Sequence, residues 1–307
     1  MPVALPKTFQ KYILVQSLQQ NERYALGVYK HDKQQVVIKF SKKSNALATK
    51  WLRTEIACLK VLNKVEKRVQ ARRKDDTSTI LVRVPTLLHV IETYEVLAVV
   101  FEYLPATQSF DALSTKEQTD LCMETLKQLR FYSTQLTKSE RAAVPNRSGL
   151  SMFLLFPVVW LLAVRAYPKK IGLLLHAAWQ FILLSPSLIQ AKAVVLAHRD
   201  VQGHNFILSN SKAHLIDFGF AAYAPEGYDL LCTIILHWEH VELRTMLLNQ
   251  LSLISLNKPS SGVQYQAIAL YSTLTLLSGT DIPIKKAQQY ELAMRYWVDT
   301  SNFKLAV

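Results

Sequence analysis

The stretch AHRDVQGHNFILSNSKAHLIDFG, at 197–219, holds two tripeptides and one asparagine that decide how the whole chain is interpreted. The first tripeptide is HRD at 198–200, and Asn205 follows its aspartate by five positions. The second is DFG at 217–219, and the apolar runs between the two predict a strand, a turn and a second strand. Either tripeptide arises by chance, whereas both in this order, with Asn205 at this offset, form a specific pattern.

These residue types suit the transfer of a phosphoryl group from a nucleotide. Such a transfer needs a carboxylate that orients or deprotonates the attacking hydroxyl, and oxygen ligands for the magnesium ions that bridge the phosphates. The pattern H-R-D-x-x-x-x-N, a hairpin and D-F-G supplies these groups at the spacing of kinases. The stretch therefore predicts a catalytic loop at 198–205 and a DFG motif at 217–219.

The first hundred residues alternate strand-like and helix-like segments. Three apolar runs joined by short polar turns predict an antiparallel meander, and a helical pattern and two further strand-like runs follow. These segments lie at 12–18, 23–30, 34–40, 44–73, 83–92 and 94–104. Beyond Pro105 helices dominate. The sequence therefore predicts an α+β fold with two lobes, a small antiparallel β-rich lobe with one helix at 1–103 and a larger, mainly helical lobe at 104–307.

A lysine and a glutamate in the first lobe fit the same chemistry. Lys39 lies in the third predicted strand, where kinases place the lysine that contacts the α- and β-phosphates. Glu55 lies sixteen residues later, in the following helix, and is the expected ion-pair partner of that lysine. Glu102, Tyr103 and Leu104 fall at the predicted hinge between the lobes, where their backbone groups are expected to bind an adenine.

Together these residues resemble those of the protein-kinase-like fold, and within it the aminoglycoside phosphotransferase and lipopolysaccharide-core kinase group of small-molecule kinases. The resemblance covers 35–230. It implies ATP and Mg²⁺ as cofactors, with Lys39 as the phosphate contact. It also implies that Asp200 is the catalytic base and that Asn205 and Asp217 bind the magnesium.

Three departures separate the chain from protein kinases. Between the first and third predicted strands there is one glycine, Gly27, so no G-x-G-x-x-G loop covers the phosphates, and the polar turn at 19–22 is the candidate replacement. Nine residues separate Gly219 from Asp229, and no A-P-E motif follows. The segment around Asp229 resembles the short turn and helix start of antibiotic and sugar kinases, which predicts a cap or a stabilising residue. Arg199 instead favours a protein kinase, because arginine at this position is more typical of protein kinases.

The sequence predicts an ATP- and Mg²⁺-dependent phosphotransferase that acts on a hydroxyl of a small molecule or of a glycolipid. Two alternatives stay open. One is an atypical serine/threonine protein kinase, favoured by Arg199, and the other is a nucleotide-binding pseudokinase that docks a membrane or a partner, favoured by the weak glycine loop. Three histidines, at 198, 204 and 214, lack cysteine partners or an H-E-x-x-H spacing, so no further metal site is predicted.

Composition excludes several other classes of protein. Half of the 307 residues are hydrophobic and 19% are charged, which excludes a disordered chain. Three widely separated cysteines predict neither a disulfide framework nor a cysteine zinc site. The net charge of +13 favours anionic partners, but no nucleic-acid-binding motif accompanies it, so nucleic acid is not expected. The N-terminal residues lack an apolar secretory segment, and a cytoplasmic location is expected.

One apolar region, at 152–184, has two interpretations. Its halves, at 152–164 and 171–184, are each shorter than the roughly 20 residues that a membrane-spanning helix needs, and a charged break separates them. One interpretation is a pair of buried helices. The other is a hairpin that contacts the inner face of a membrane peripherally. Interfacial aromatic and basic residues favour the second: Trp160, Arg165, Tyr167, Lys169, Lys170 and Trp179.

Overall fold

The computed structural model describes residues 3–72, 82–209, 212–256, 261–279 and 282–299. The chain divides into two compact units. Unit 1 comprises 1–112, 134–145 and 203–221, and unit 2 comprises 113–133, 146–202 and 222–307.

Unit 1 is built on an antiparallel sheet of six strands. In chain order the strands of this sheet are β1 (Thr8–Phe9), β2 (Tyr12–Gln20), β3 (Ala25–His31), β4 (Gln34–Lys42), β6 (Leu87–Glu92) and β7 (Val96–Glu102). Their order in the sheet is β1-β2-β3-β4-β7-β6. The predicted meander and the two later strands are therefore confirmed, and the short β1 at the edge is an addition.

The central strand β4 is buried on both faces. Its side chains alternate between the two faces of the sheet, and this alternation decides on which face Lys39 lies. Val36, Ile38 and Phe40 point to one face and join the apolar core of the sheet. Successive side chains of a strand point to opposite faces, so Lys39 and Ser41 lie on the other face. The hydroxyl of Ser41 lies 3.4 Å from that of Thr49, on the helix that covers this face.

That helix is α1 (Ala46–Arg72), which confirms the helix predicted at 44–73. Asn45 begins it by accepting a hydrogen bond from the amide of Ala48 at 3.0 Å. A fully buried stripe recurs at helical spacing: Ala48, Leu52, Leu59 and Leu62. Glu55 lies in the middle of this stripe, so the amphipathic pattern of the helix places a carboxylate in the protein interior.

The hairpin expected between the two sequence motifs is present. Its strands are β9 (Phe206–Ser209) and β10 (Lys212–Leu215), which pair antiparallel. The short strand β5 (Val82–Arg83) adds to β10 in parallel and was not predicted, because two residues carry no periodic signal. Three-residue 3₁₀ helices precede and follow this hairpin, at 203–205 and 218–220, and another of unit 1 lies at 110–112.

The segment at 134–145 is bound to α1 of unit 1 through Arg68. It contains the short helix α3 (Lys138–Ala142), whose capping box links Thr137 and Glu140. The Glu140 carboxylate accepts two hydrogen bonds from the Arg68 guanidinium of α1, at 2.7 and 2.9 Å. The side-chain bonds from Arg68, with those from Thr137, lower the pKa of Glu140 to about 2.

Replacing Glu140 with glutamine is expected to lower the free energy of unfolding by about 2 kcal/mol at pH 7. The folded pKa lies below the ordinary value of 4.5, so this contribution is present above pH 4.5 and is lost as the pH falls towards about 2. Urea unfolding of both proteins should therefore show a difference that shrinks by more than half between pH 7 and pH 3. Glu124→Gln, which removes an exposed pair with Lys127, is the control and should have little effect at either pH. A difference that does not vary with pH would contradict this account.

Unit 2 is mainly helical, as the sequence predicts for most of this region. Its helices are α2 (Thr115–Gln135), α4 (Gly149–Ala166), α5 (Ile171–Ile189), α6 (Tyr228–Leu236), α7 (Val241–Leu256), α8 (Ser261–Leu277) and α9 (Ile284–Val298). A small antiparallel sheet pairs β8 (Val195–Ala197) with β11 (Ala222–Ala224). Helices α4, α5, α6 and α9 pack against α8, which lies at the centre of the unit.

The apolar region at 152–184 forms a helical hairpin of α4 and α5, joined by a short 3₁₀ turn at 168–170. The rings of Phe156 and Phe181 stack with centroids 3.9 Å apart, and the indole of Trp160 donates to the carbonyl of Leu174 at 3.0 Å. By length and composition alone, the segments Gly149–Ala166 and Pro168–Ile189 are long and apolar enough to cross a membrane. Only 22% of the first segment and 28% of the second are buried within the protein. Each helix therefore has one buried face and one exposed face.

Gly149 closes the open end of this hairpin. Its amide donates to the carbonyl of Ala191 at 3.0 Å. A Cβ atom at this position would lie 1.7 Å from the carbonyl oxygen of Leu188, so only glycine permits this approach of α4 to the end of α5.

Candidate active site

In unit 1 the predicted lysine and glutamate meet the aspartate of the DFG motif. The Lys39 Nζ lies 2.9 Å from Glu55 Oε2 and 3.0 Å from Asp217 Oδ1. Lys39 and Glu55 are buried, whereas the side chain of Asp217 is 40% exposed. The ammonium group is therefore held between an interior carboxylate and a carboxylate that solvent reaches.

Burial and charge act in opposite directions on this cluster. Burial alone would lower the pKa of Lys39, but the carboxylates of Glu55 and Asp217 outweigh it and raise that pKa, so the ammonium stays charged. Burial raises the pKa of Glu55, and the charge of Lys39 opposes this shift. The lysine and Glu55 thus stabilise each other in an interior where either charge alone would be costly.

A tyrosine that sequence reasoning missed completes the surroundings of the lysine. The Lys39 Nζ lies 4.6 Å from the centroid of the Tyr24 ring, a cation–π contact, and the Tyr24 hydroxyl donates to the carbonyl of Ala48 at 3.3 Å. Burial raises the pKa of Tyr24, which stays protonated. Tyr24 lies in the strand-like run at 23–30, whose pattern does not distinguish it, and only the folded structure places it beside Lys39.

The turn between β2 and β3 satisfies its own backbone amides. Asn21 Oδ1 accepts from the amides of Arg23 and Tyr24, both at 2.8 Å, and the amide of Asn21 donates to the carbonyl of Tyr24. This is an Asx turn, which replaces glycine as the means of bending the chain here. The amides of Asn21, Arg23 and Tyr24 are therefore engaged within the turn, at the place where a glycine-rich loop would offer them to phosphate.

The β9–β10 hairpin brings Asn205 and Asp217 together. Phe206 pairs with Leu215, so the residue before β9 lies beside the residues after β10. The amide of Ile216 donates to the carbonyl of Asn205 at 2.9 Å, which fixes this arrangement. Asp217 has a φ of 62°, in the left-handed region that aspartate tolerates better than most residues.

Asn205 and Asp217 form a donor set that fits a magnesium ion. An amide oxygen and a carboxylate oxygen are hard ligands of the kind that Mg²⁺ prefers. Within the residues that the structure describes, no three His, Cys, Asp or Glu side chains form a group that could hold a metal. Two protein ligands suit magnesium, which is commonly bound by one or two side chains together with substrate phosphates and water.

The predicted adenine-binding residues lie at the end of β7. Glu102 is the last residue of the strand, and its amide donates to the carbonyl of Thr86 at 3.1 Å while its carboxylate accepts from the Thr86 amide at 2.7 Å. Tyr103 and Leu104 leave the strand, and no backbone hydrogen bond joins them to another residue in the described part of the chain. Glu102 is thus engaged in the sheet, and the backbone groups of Tyr103 and Leu104 are better placed to bind a nucleotide base.

In unit 2, Asp229 organises the loop that contains Asp200. The Asp229 carboxylate accepts the amides of His198 and Arg199, at 2.8 and 2.6 Å. These two bonds hold Arg199 at a φ of 70°, a left-handed conformation that an arginine rarely adopts. Burial raises the pKa of Asp229, and the two amide bonds oppose the shift. Asp229 therefore stabilises the preceding loop rather than capping its own helix, α6.

The far side of this loop is held by the other end of α6. The ring of His237, which is buried, donates from Nε2 to the carbonyl of Val201 at 3.1 Å. The side-chain amide of Gln202 donates to Asp200 Oδ1. Burial raises the pKa of Tyr290 to about 12, and the charge of Asp200 adds to this effect. Asp200 is thus a carboxylate in an ordered loop, fixed on both sides by residues of one helix.

Comparisons with known proteins agree with this geometry. Residues 13–256 match the phosphotransferase enzyme family. No curated protein matches the chain in sequence.

Three solved structures share its fold. A thermostable mutant of aminoglycoside phosphotransferase APH(4)-Ia, in a ternary complex with AMP-PNP and hygromycin B, is 10% identical with a TM-score of 0.60, over 95% of each chain. Amicoumacin kinase hAmiN, in complex with AMP-PNP, Ca²⁺ and Ami, is 9% identical with a TM-score of 0.54, over 96% of this chain and 90% of its own. A putative fructosamine-3-kinase from Haemophilus somnus 129PT is 10% identical with a TM-score of 0.52, over 92% of each chain.

The similarity extends over nearly the full length of these structures, and it confirms the kinase-like fold that the motifs predicted. The family match spans the region that holds Lys39, Glu55, Asp200 and the DFG motif. The chain therefore belongs to the phosphotransferase enzyme family and is a kinase.

Proposed function

We propose that this chain transfers the γ-phosphate of ATP, with Mg²⁺, to a hydroxyl of a small molecule or a glycolipid. The observation that carries the proposal is the contact of Lys39 with both Glu55 and Asp217, at 2.9 and 3.0 Å. A charged lysine held between an interior carboxylate and the aspartate of a DFG motif is the arrangement that phosphoryl transfer uses to bind nucleotide phosphates.

Each residue of unit 1 has a separate task in this proposal. Lys39 binds the α- and β-phosphates, and Glu55 positions it. Asn205 and Asp217 hold Mg²⁺, which when bound neutralises the charge that develops on the phosphates. The backbone of Tyr103 and Leu104 binds the adenine. The contact between Lys39 and Asp217 places the phosphate-binding lysine of this proposal beside its metal-binding aspartate.

Asp200 acts as the base in this proposal. Its carboxylate accepts a hydrogen bond from the acceptor hydroxyl and orients the hydroxyl oxygen towards the γ-phosphorus. It takes the proton as the new P–O bond forms and as the bond from the γ-phosphorus to the β–γ bridging oxygen breaks, which releases ADP. The amide of Gln202 donates to Asp200 Oδ1 and so helps to fix the direction of the carboxylate. The anchors at Asp229 and His237 keep the loop in place during the reaction.

A small-molecule or glycolipid acceptor is favoured over a protein. After the DFG motif, β11 begins at Ala222 and α6 at Tyr228, so 225–227 is the whole connection between them. This leaves no long activation segment on which a peptide would dock. Hygromycin B and Ami, bound in the related structures, are consistent with a small acceptor. A glycolipid, met by a cytoplasmic protein on the inner face of a membrane, suits the basic charge of the chain and the exposed apolar hairpin.

A phosphate-transfer assay tests the proposal. The protein is incubated with γ-labelled ATP, Mg²⁺ and an extract of its source cells, and the products are separated into protein, aqueous and lipid fractions. Label in the aqueous or lipid fraction that disappears in Asp200→Asn supports the proposal. Such label in protein alone would establish a protein kinase instead. Bound ATP without any transfer would establish a pseudokinase.

A further inference from the structure

The α4–α5 hairpin of unit 2 exposes two apolar stripes. On α4 the stripe includes Leu154, Val158 and Leu161, which are 65%, 55% and 59% exposed. On α5 it includes Leu175, Trp179 and Leu183, which are 53%, 59% and 54% exposed. Each set recurs at helical spacing, so each stripe is one continuous face of its helix. Contiguous apolar surface of this kind is rare in proteins that meet only water.

The buried faces of the same helices fix the direction of the stripes. Phe156 and Phe181 stack between the two helices, and Phe181 also contacts Tyr271 of α8. Both helices pack on α8. The exposed stripes therefore lie on the side of the hairpin that faces away from α8. A helix that crossed a membrane would have to leave this packing, so the hairpin is suited to lie on a membrane rather than to span it.

The charged residues of the hairpin itself are all basic. No aspartate or glutamate occurs from 141 to 199. The turn between the helices carries Arg165, Lys169 and Lys170. Cations of this density beside an apolar helical face are attracted to the anionic headgroups of a lipid surface. The same cations would repel those of a second copy of the chain if two hairpins met face to face.

A cationic pocket lies at the turn. It has a volume of about 470 Å³ and is lined by Lys169, Lys170, Gly172, Leu173, His176 and Arg295. Glu291 pairs with Lys170 at 2.9 Å and with Arg295 at 2.8 Å, which holds both cations in place. The three cations Lys169, Lys170 and Arg295 outnumber this single carboxylate, so the pocket keeps a net positive charge suited to a phosphate group.

We propose that the α4–α5 hairpin docks unit 2 on an anionic lipid surface, with the apolar stripes at the acyl boundary and a lipid phosphate headgroup in the pocket at 169–176. The proposal rests on the proposed function in one respect, since a lipid surface is where a glycolipid acceptor is met. It requires no catalysis, and binding to vesicles therefore tests it separately from phosphoryl transfer.

Sedimentation with vesicles measures the docking. We expect the full chain to bind vesicles containing phosphatidylglycerol at least about tenfold more tightly than vesicles of phosphatidylcholine alone, and to lose this preference as salt is raised. The double variant Leu161→Glu/Trp179→Glu should bind the anionic vesicles at least about tenfold more weakly. Val241→Glu, which changes an apolar residue of α7 that is 60% exposed, is the matched control and should bind as the unchanged protein does.

A second pair of variants tests the cations. Arg165→Gln/Lys169→Gln should weaken binding to anionic vesicles by about twenty-fivefold, at roughly fivefold for each charge, while leaving the weak binding to neutral vesicles unchanged. Lys116→Gln/Lys127→Gln, on α2, removes equal charge elsewhere in unit 2 and should have a smaller effect. Inorganic phosphate at millimolar concentration should not displace the protein from vesicles, because a free phosphate lacks the apolar part of the site.

The emission of Trp179 reports where the hairpin lies. Its fluorescence should shift to shorter wavelength on anionic vesicles and should be quenched by lipids brominated near the headgroup, and Trp179→Phe should remove most of this signal. Several results would overturn the proposal: no binding to anionic vesicles, binding unaffected by Leu161→Glu/Trp179→Glu, or a dimer in the absence of lipid that the same substitutions dissociate. Asp200→Asn should still bind anionic vesicles, so the test of docking does not depend on whether the protein transfers phosphate.

Discussion

Replacing Asp200 with asparagine is expected to lower kcat by about a thousandfold or more while changing the affinity for ATP by less than about threefold. Asparagine has the size of aspartate and still accepts the hydrogen bond from Gln202, so the loop keeps its conformation. It cannot take a proton from the acceptor hydroxyl. In the proposed function the nucleotide is bound by residues of unit 1, which the substitution does not touch.

Single-turnover rates and calorimetric titration with ATP separate these two effects. Asp120→Asn, an exposed aspartate on α2, is the control and should keep full activity. A variant that turns over within a few-fold of the unchanged protein would remove Asp200 from the mechanism. A variant that no longer binds ATP would show that Asp200 supports the structure of the site, and the rate would then say nothing about its role as a base.

The contact between Lys39 and Glu55 could be predicted because both residues lie in strongly periodic elements. The alternation of β4 places Lys39 on the face opposite Ile38, and the stripe of α1 places Glu55 inward. A strand followed directly by a helix that covers it brings these faces together. Local pattern and element order thus turn the two residues towards each other, and the kinase-like motif predicts that Glu55, sixteen residues after Lys39, is its partner.

Two other features could not be predicted, because they depend on contacts between distant parts of the chain. Asp229 binds the amides of His198 and Arg199 from about thirty residues away, and no local pattern distinguishes it from an ordinary helix start. Arg68 binds Glu140, which lies 72 residues later in the sequence. The sequence also could not show which residues of the α4–α5 hairpin are buried, because both helices are apolar all round. Only the packing on α8 determines which face of each helix is buried and which is exposed.

Removing the Asp229 carboxylate is expected to have the largest effect on stability. Asp229→Ala leaves the amides of His198 and Arg199 without their acceptor in the interior, which should lower the free energy of unfolding by about 3 kcal/mol or more. Asp229→Asn keeps one acceptor oxygen but turns an NH₂ group towards the other amide. It should therefore also lower the free energy of unfolding, but by less than Asp229→Ala does. Urea unfolding of both variants measures these differences, and Asp120→Ala is the control.

The effect on catalysis distinguishes a positioning residue from a merely stabilising one. At φ 70° Arg199 is in a conformation that costs about 1–2 kcal/mol, and the two bonds to Asp229 are what hold it there. Once these bonds are lost, the backbone relaxes to negative φ and Asp200, the next residue, changes direction. We therefore expect Asp229→Ala, which removes both acceptors, to lower kcat by about a hundredfold with an unchanged KM for ATP, at temperatures where the variant is fully folded. Hydrogen exchange should show the amide of Arg199 protected in the unchanged protein and exposed in the variant. If that amide loses its protection while kcat stays the same, the loop conformation does not control Asp200, and Asp229 serves stability alone.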